Sequence, residues 1–397
     1  MAAKGRAGTG GKGGDDRART LEQLLATKEI VISCGSGGVG KTTTAAAAAA
    51  MAATHLGGKV LVLTVDPARR LANALGLERF GNVEHRVPDS AFEAAGVTPR
   101  GELWAAMLDT KQSWDDLVHR HAPDARTRDA ILANSIYQNI SGRFVQSHDY
   151  IAMERLYEIH SSGAYDLIVV DTPPTRNAID FLEAPDRMAD FFSSRLLRWL
   201  TVPTKSRVMS LASKPFYTVA DRILGSQFLE DIAEFFTLFQ TMAPGFVERA
   251  EAVTKVLGDK RTTFMVVSTL EAAPLHEAEF FIDALDERKL NLGALVLNKV
   301  LPAYLRRTAT TGVAKRLCAD ADALAQAVPE AGDPEATARV LRTIGESFLN
   351  YQVVAKREAE QRAGLARSPE VVAAVPYFDA DIHDLAGLLA LGDQIWR

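Results

Sequence analysis

The chain has 397 residues, 47% of them hydrophobic and 24% charged, an ordinary composition for a globular protein that buries a sizeable core. Its 45 basic and 50 acidic side chains give a net charge of −5, which disfavours a general nucleic-acid binder. Only two cysteines are present, Cys34 and Cys318, which excludes a disulfide scaffold and a four-cysteine zinc site. Because no apolar run reaches the roughly 18 residues of a membrane span, we expect a cytoplasmic protein without stable membrane insertion.

The first predicted elements form a strand–helix–strand unit. Residues 1–20 lack an apolar segment and are typical of a flexible tail. A continuous apolar run at 29–34 predicts a strand buried on both faces, and the alanine-rich segment 42–56 predicts a helix that ends at Gly57-Gly58. A second buried strand follows at 59–66, so the crossover should be right-handed.

The loop between the first strand and the helix matches the pattern G-x-x-x-x-G-K-S/T. Glycines let the backbone wrap closely around phosphate, and the following helix N-terminus adds partial positive charge. Lys41 is expected to neutralise the β- and γ-phosphates, and the Thr42 hydroxyl to bind Mg²⁺. The hydroxyl of Thr43 either binds the α-phosphate or caps the helix. The predicted nucleotide-binding loop comprises Gly35, Ser36, Gly37, Gly38, Val39, Gly40, Lys41, Thr42 and Thr43.

Two predicted strands end in an aspartate. Asp171 closes the strand at 166–171, where a carboxylate would face the hydration shell of Mg²⁺, so Asp171 and Thr42 form the predicted metal site. Asp66 closes the strand at 59–66 and either positions the attacking water or belongs to an Asp-Pro turn.

Further strands are predicted at 263–269, 292–300 and 371–378, separated by segments of helical character. This alternation predicts an α/β fold with a doubly wound, mostly parallel sheet of the P-loop NTPase type, carrying a helical insertion subdomain. The predicted domains are the tail at 1–20, a P-loop ATPase domain at 21–184 and 262–397, and the insertion at 185–261, with residues 109–160 helical and able to join the insertion.

The segment that begins at Asn298 indicates which base the nucleotide carries. Guanine-binding proteins of the small GTPase type use N-K-x-D, whereas Asn298-Lys299-Val300-Leu301 ends in leucine. Adenine is therefore favoured, and the Asn298 amide offers both a donor and an acceptor to its edge. The alternative is that Asn298 caps the end of its strand.

An apolar stripe runs through the predicted insertion at helical spacing. Such a stripe is either hydrophobic core or, less often, a groove for a hydrophobic partner segment. Its members are Phe228, Ile232, Phe235, Phe239, Met242 and Phe246, with a predicted break at Pro244-Gly245.

Three motifs in this order resemble the ArsA-type ATPases, a family that includes arsenite-pump ATPases and the ATPases that target tail-anchored membrane proteins. They are the Gly-Gly-Val-Gly-Lys-Thr-Thr loop, Thr-Val-Asp-Pro-Ala at 64–68 and Val-Asp-Thr-Pro-Pro-Thr at 170–175. The resemblance implies a dimeric Mg-ATPase in which Asp66 orients water, and it suggests an adenine site at Asn298 and Pro376. It also implies a homodimer, or a heterodimer with an ArsA-like paralogue, and a hydrophobic protein client.

The chain departs from that family at one important position. The family's loop carries a second lysine that reaches the partner's phosphates, and here Ser36 occupies that position. Either hydrolysis is slow, or Arg69 or Arg176 substitutes, or a lysine-bearing paralogue completes the site. Two alternatives to an ATPase switch therefore stay open, a slow nucleotide-gated scaffold subunit and a MinD- or ParA-like positioning ATPase.

Overall fold

The computed structural model describes residues 20–65, 69–77, 81–140, 147–172, 178–193, 226–328, 330, 332–365 and 369–396. In this part of the chain, eight strands form one sheet in the order β3-β4-β2-β5-β1-β6-β7-β8. All neighbours are parallel except β3 and β4. The strands are β1 (Ile30–Cys34), β2 (Lys59–Thr64), β3 (His85–Arg86), β4 (Glu102–Met107), β5 (Leu167–Asp171), β6 (Thr262–Ser268), β7 (Leu292–Val300) and β8 (Val371–Pro376).

Helices connect the strands and flank the sheet. Among the described residues, no helix is both long enough and apolar enough to cross a membrane. The helices are α1 (Leu21–Leu25), α2 (Lys41–His55), α3 (Arg69–Ala74), α4 (Asp89–Ala94), α5 (Thr110–His121), α6 (Ala125–Ala133), α7 (Ser135–Ile140), α8 (Ser147–Ser162), α9 (Ala178–Ser193), α10 (Ser226–Gln240), α11 (Ala243–Leu257), α12 (Ala272–Glu287), α13 (Thr308–Ala319), α14 (Ala321–Gln326), α15 (Pro334–Gly364) and α16 (Leu385–Trp396), with a 3-10 turn at Ala303–Arg306.

Both faces of the sheet are buried. Successive side chains of a strand point to opposite sides, so each strand contributes to two separate cores. In β1, Ile30, Ile32 and Cys34 join the core that includes α5, α8 and α12, whereas Val31 joins the core beneath α2 and α16. Helices thus cover both faces of a mostly parallel sheet. The predicted α/β fold of the P-loop NTPase type is confirmed.

Every strand that the sequence predicts is present within two residues of its predicted ends. The sequence analysis missed β4, because its Glu-Leu-Trp-Ala-Ala-Met segment follows neither a continuous apolar run nor a strict alternation. It also missed the two-residue strand β3, which pairs with β4 in antiparallel fashion at the sheet edge.

The aromatic stripe of the predicted insertion packs against the helices of the 109–160 region. Phe239 and Phe246 are buried, and their rings lie 6.0 and 6.1 Å from that of Trp114 on α5. Tyr150 on α8 completes the cluster, 5.8 Å from Phe246. Phe235, Phe239, Met242 and Phe246 of the stripe therefore belong to one hydrophobic core with α5 and α8.

Two prolines of the predicted insertion, Pro185 and Pro244, lie in different helical contexts. Helix α9 continues through Pro185, so the predicted domain boundary at 184/185 falls inside a helix. The predicted break near Pro244 is present, since α10 ends at Gln240 and Pro244 lies in the first turn of α11, where proline costs no hydrogen bond. The side chain of Phe228 lies outside the described residues.

Candidate active site

The predicted nucleotide-binding loop connects β1 to α2 at the carboxyl edge of the sheet. Gly38 and Gly40 have φ angles of 80° and 97°, which side-chain-bearing residues rarely adopt. Helix α2 starts at Lys41, so its free N–H groups face the loop. Strand β5 is the neighbour of β1 in the sheet, and this places Asp171 beside the loop.

The side chain of Lys41 is folded back into the loop. It is only 6% exposed, and its Nζ donates a hydrogen bond to the Ser36 carbonyl oxygen at 2.9 Å. The Ser36 hydroxyl oxygen is buried and has no hydrogen-bond partner among the residues that the structure describes. Residue 36 thus contributes a neutral, buried hydroxyl to the loop.

Asp171 lies at the centre of a hydroxyl–carboxylate cluster. Its side chain is completely buried, and its Oδ2 accepts hydrogen bonds from Thr42 Oγ1 at 2.6 Å and from Thr64 Oγ1 at 2.9 Å. Thr172, the next residue, donates its hydroxyl to the Ser33 carbonyl oxygen at 2.9 Å. The structure therefore brings together Thr42 and Asp171, the two residues of the predicted metal site.

Asn298 contacts the loop from the end of β7. Its Nδ2 donates to the Val39 carbonyl oxygen at 2.8 Å, and its Oδ1 accepts the Lys299 backbone N–H at 2.9 Å. Lys299 Nζ lies 3.3 Å from the Gly38 carbonyl oxygen. The sequence analysis missed the contact of Lys299 with the loop, although the Asn-Lys pair at a strand end was visible in the sequence.

The Asn298 side chain explains why residue 40 is glycine. A Cβ built on Gly40 overlaps Asn298 Nδ2, and the φ of 97° is itself unfavourable for alanine. We expect Gly40→Ala to weaken ATP binding more than tenfold and to lower the melting temperature by several degrees, because it combines backbone strain with loss of the Asn298–Val39 hydrogen bond.

Gly38→Ala is the matched control for that substitution. Gly38 has a comparable φ of 80°, but a Cβ there meets no atom within 4 Å. Isothermal titration and thermal unfolding of both variants should show the larger loss for Gly40→Ala. Equal losses would mean that strain alone, and not the Asn298 contact, selects glycine.

The remaining predicted residues have different positions. Pro376 ends β8 and pairs in register with Val300, so it lies on the strand next to Asn298. Thr43 lies half-buried in the first turn of α2. Asp66, Arg176 and the side chain of Arg69 lie outside the described residues.

Cys34 is a buried residue of β1 rather than a reactive group. Burial raises the pKa of its thiol to about 12, so the thiolate is scarce at neutral pH. Its Sγ lies 3.7 Å from the Ile32 carbonyl oxygen. Cys34 therefore acts as a small apolar residue beneath the loop.

The residues present fit a phosphate and a divalent cation. The positive φ angles of Gly38 and Gly40 shape a loop whose backbone N–H groups, with the N-terminus of α2, suit a phosphate, and the Ser36 hydroxyl has no hydrogen-bond partner among the described residues. The hydroxyl and carboxylate oxygens of Thr42 and Asp171 are ligands that Mg²⁺ prefers.

Comparison with known proteins agrees with this geometry. The family model described as anion-transporting ATPase matches residues 28–325. The ATPase get3 of Pyrenophora tritici-repentis is 25% identical over 298 residues, covering 72% of this chain and 78% of that protein. A putative arsenical pump-driving ATPase of Aquifex aeolicus is 24% identical over 286 residues, covering 68% and 79%. The chain therefore belongs to the ArsA-type family of anion-transporting ATPases and is an ATP hydrolase.

Proposed function

We propose that this ATPase is a Mg²⁺-dependent switch in which ATP binding and hydrolysis close and open a dimer. The observation that carries the proposal is the direct contact of Thr42 with Asp171, which joins the nucleotide-binding loop to the end of β5. Lys41 would neutralise the β- and γ-phosphates, Thr42 and Asp171 would hold Mg²⁺, and Asp66 would orient the attacking water. When bound, Mg²⁺ neutralises charge on the phosphate oxygens.

The fold offers a route from the nucleotide to the helical region. Strand β5 is preceded by α8 and followed by α9, and α9 packs against both α8 and α11. A shift of Asp171 on nucleotide exchange would therefore act on the helices that bury the aromatic cluster around Phe246.

That cluster is the proposed surface for a hydrophobic partner. Phe239 and Phe246 are buried against α5 and α8, and the ring of Phe235 stacks on that of Phe239. A client segment would therefore bind only after these helices separate. We propose that ATP-driven closure of the dimer separates them and exposes an apolar groove for a hydrophobic membrane-protein segment.

The molar mass of the protein in solution tests whether nucleotide controls dimer formation. Asp66→Asn should retain ATP binding while slowing hydrolysis, so the closed state should accumulate in the presence of ATP and Mg²⁺. We expect light scattering to give twice the monomer mass with ATP and a lower mass with ADP. An identical mass in both nucleotide states would contradict the switch.

A second candidate function is a slow, nucleotide-gated scaffold subunit. It is favoured by Ser36, whose side chain supplies no charge to a partner's phosphates. The double variant Ser36→Lys/Lys41→Ala would carry the missing lysine without a working loop of its own. If the missing charge limits turnover, adding this variant to the unmodified chain should raise phosphate release; an unchanged rate would rule this candidate out.

A further inference from the structure

Helix α15 carries an apolar stripe on its exposed side. With 31 residues it is longer than any other described helix, and exposed large apolar side chains are concentrated on it. The stripe recurs at alternating spacings of four and three residues, which keeps its side chains on one face and suits packing against a second helix. Its four apolar members are each about half exposed, and a serine lies at its centre. The α15 stripe consists of Val340, Ile344, Ser347, Tyr351 and Val354.

A different face of α15 packs within the chain. Ala338 joins a small core of alanines on α14, and a Cβ built on Gly345 would overlap α13. Gln352 Nε2 donates to the Leu305 carbonyl oxygen at 2.9 Å. Because positions 338, 345 and 352 recur every seven residues, they mark one side of the helix. The α15 stripe lies on another side and faces water.

The α15 stripe is large enough to form an interface. Its exposed apolar surface is on the order of 400 Å², within the range of the largest patches on ordinary monomers, which are often functional. A helix pair along the roughly 21 Å from Val340 to Val354 would bury on the order of 1,000 Å² in total, the lower limit for a specific interface. Two such stripes would therefore associate specifically but weakly.

The α15 stripe is also self-complementary. Val340 and Val354 each lie seven residues from Ser347, on opposite sides of it. Two antiparallel copies related by a two-fold axis at Ser347 would place Val340 of each beside Val354 of the other, and Ile344 next to Tyr351. The small serine at the crossing point leaves room for the larger side chains around it. A two-fold interface requires such a patch, because both copies use the same surface.

We propose that α15 is a nucleotide-independent self-association site, in which the stripes of two copies of this chain pack antiparallel about Ser347. Helix α15 lies outside residues 28–325, which match the family model, so this surface is additional to the matched region. Because the buried area is small, we expect association to be half-complete at a chain concentration on the order of 50 µM. At low micromolar concentrations the chain without nucleotide should be monomeric, so this contact is distinct from the ATP-dependent dimer.

Sedimentation equilibrium of the full chain without nucleotide, from about 1 to 200 µM, measures this association. Ile344→Glu would bring two carboxylates into the interface, so its dissociation constant should rise tenfold or more. Phe280→Glu is the matched control, since Phe280 of α12 is 59% exposed against 51% for Ile344 and the charge change is the same. This control should associate like the unmodified chain. Thermal unfolding should be similar for all three proteins, because both side chains are exposed.

Cysteine cross-linking tests the orientation of the two copies. With copper phenanthroline as oxidant, Ser347→Cys should form a disulfide-linked dimer, because the two-fold axis brings the two substituted residues together. Val340→Cys should not, since the antiparallel arrangement holds its two copies about 21 Å apart. The unmodified chain is the control for the natural cysteines, Cys34 and Cys318.

The inference is overturned by a chain that stays monomeric up to about 200 µM, which would leave the α15 stripe to a different protein. Association that Ile344→Glu leaves unchanged would also overturn it, and cross-linking of Val340→Cys would contradict the antiparallel arrangement. Failure of the unmodified chain to bind nucleotide would overturn the proposed function alone, because the self-association is measured without nucleotide.

Discussion

Lys41→Ala is expected to lower ATP turnover by about a hundredfold or more, to the level of contaminating activity. Lys41 is 6% exposed, and its ammonium lies inside the loop, 2.9 Å from the Ser36 carbonyl oxygen. The ammonium would neutralise the charge that develops on the β- and γ-phosphate oxygens. Phosphate release at saturating ATP measures the effect.

Lys315→Ala is the control for that experiment. Lys315 is an exposed residue of α13, and its removal changes the net charge by the same amount. Turnover should be normal in Lys315→Ala and lost in Lys41→Ala. If Lys41→Ala retained turnover, the assignment of the active site to this loop would be wrong.

Arg249→Ala is expected to destabilise the chain by about 3–5 kcal/mol at pH 7.5, because it leaves a buried carboxylate without its partner charge. Arg249 on α11 and Glu154 on α8 are 12% and 8% exposed, with Arg249 Nε 2.5 Å from Glu154 Oε1. Tyr150 donates its hydroxyl to Glu154 Oε2 at 2.8 Å, and the guanidinium lies 5.0 Å from the centre of the Phe246 ring. The pair thus ties α8 to α11 over the aromatic cluster.

The destabilisation should shrink at lower pH. Burial raises the pKa of Glu154, so this carboxyl group binds a proton more readily in the folded chain than in the unfolded chain. The contribution of Glu154 to the free energy of unfolding therefore falls as the pH rises through that raised pKa. In Arg249→Ala the carboxyl group loses its cation and its pKa rises further. His121 remains neutral at pH 5 in the unmodified chain, because burial and the charge of Arg249 lower its pKa to about 4.

Urea unfolding at pH 7.5 and pH 5 measures both effects. The double variant Glu154→Gln/Arg249→Met removes both charges, and it should recover much of the lost stability because no uncompensated buried charge remains. A loss by Arg249→Ala that is independent of pH and persists in the double variant would show that packing of the arginine side chain, and not its charge, matters.

The sequence was sufficient to predict the sheet and the nucleotide-binding loop. Buried parallel strands are continuous apolar runs, so β1, β2 and β5 were visible, and the loop pattern between β1 and α2 is specific. The pairing of Thr42 with Asp171 followed from the rule that carboxyl ends of parallel strands meet at one edge. The strand order, with β5 between β1 and β2, could not be derived from local pattern.

The sequence was insufficient where a side chain has several possible partners. Asn298 was predicted to meet adenine or to cap its strand, and nothing in the sequence indicated that its amide nitrogen also binds the Val39 carbonyl oxygen of the loop. The aromatic stripe was compatible with hydrophobic core or with a groove for a partner. Only the structure shows that Phe246 of the stripe is covered by Trp114 of α5. Pro185 suggested a boundary, yet α9 continues through it, because tertiary packing overrides local propensity.

Phosphate release by the unmodified chain shows whether this protein hydrolyses ATP with Mg²⁺. The assay compares ATP with GTP, each with Mg²⁺ and with the metal chelated. We predict Mg²⁺-dependent release from ATP and much slower release from GTP, because Leu301 stands where a guanine-binding carboxylate would be needed. Equal rates with both nucleotides would contradict the preference for adenine, and tight ATP binding without release would contradict ATP hydrolysis by this chain alone.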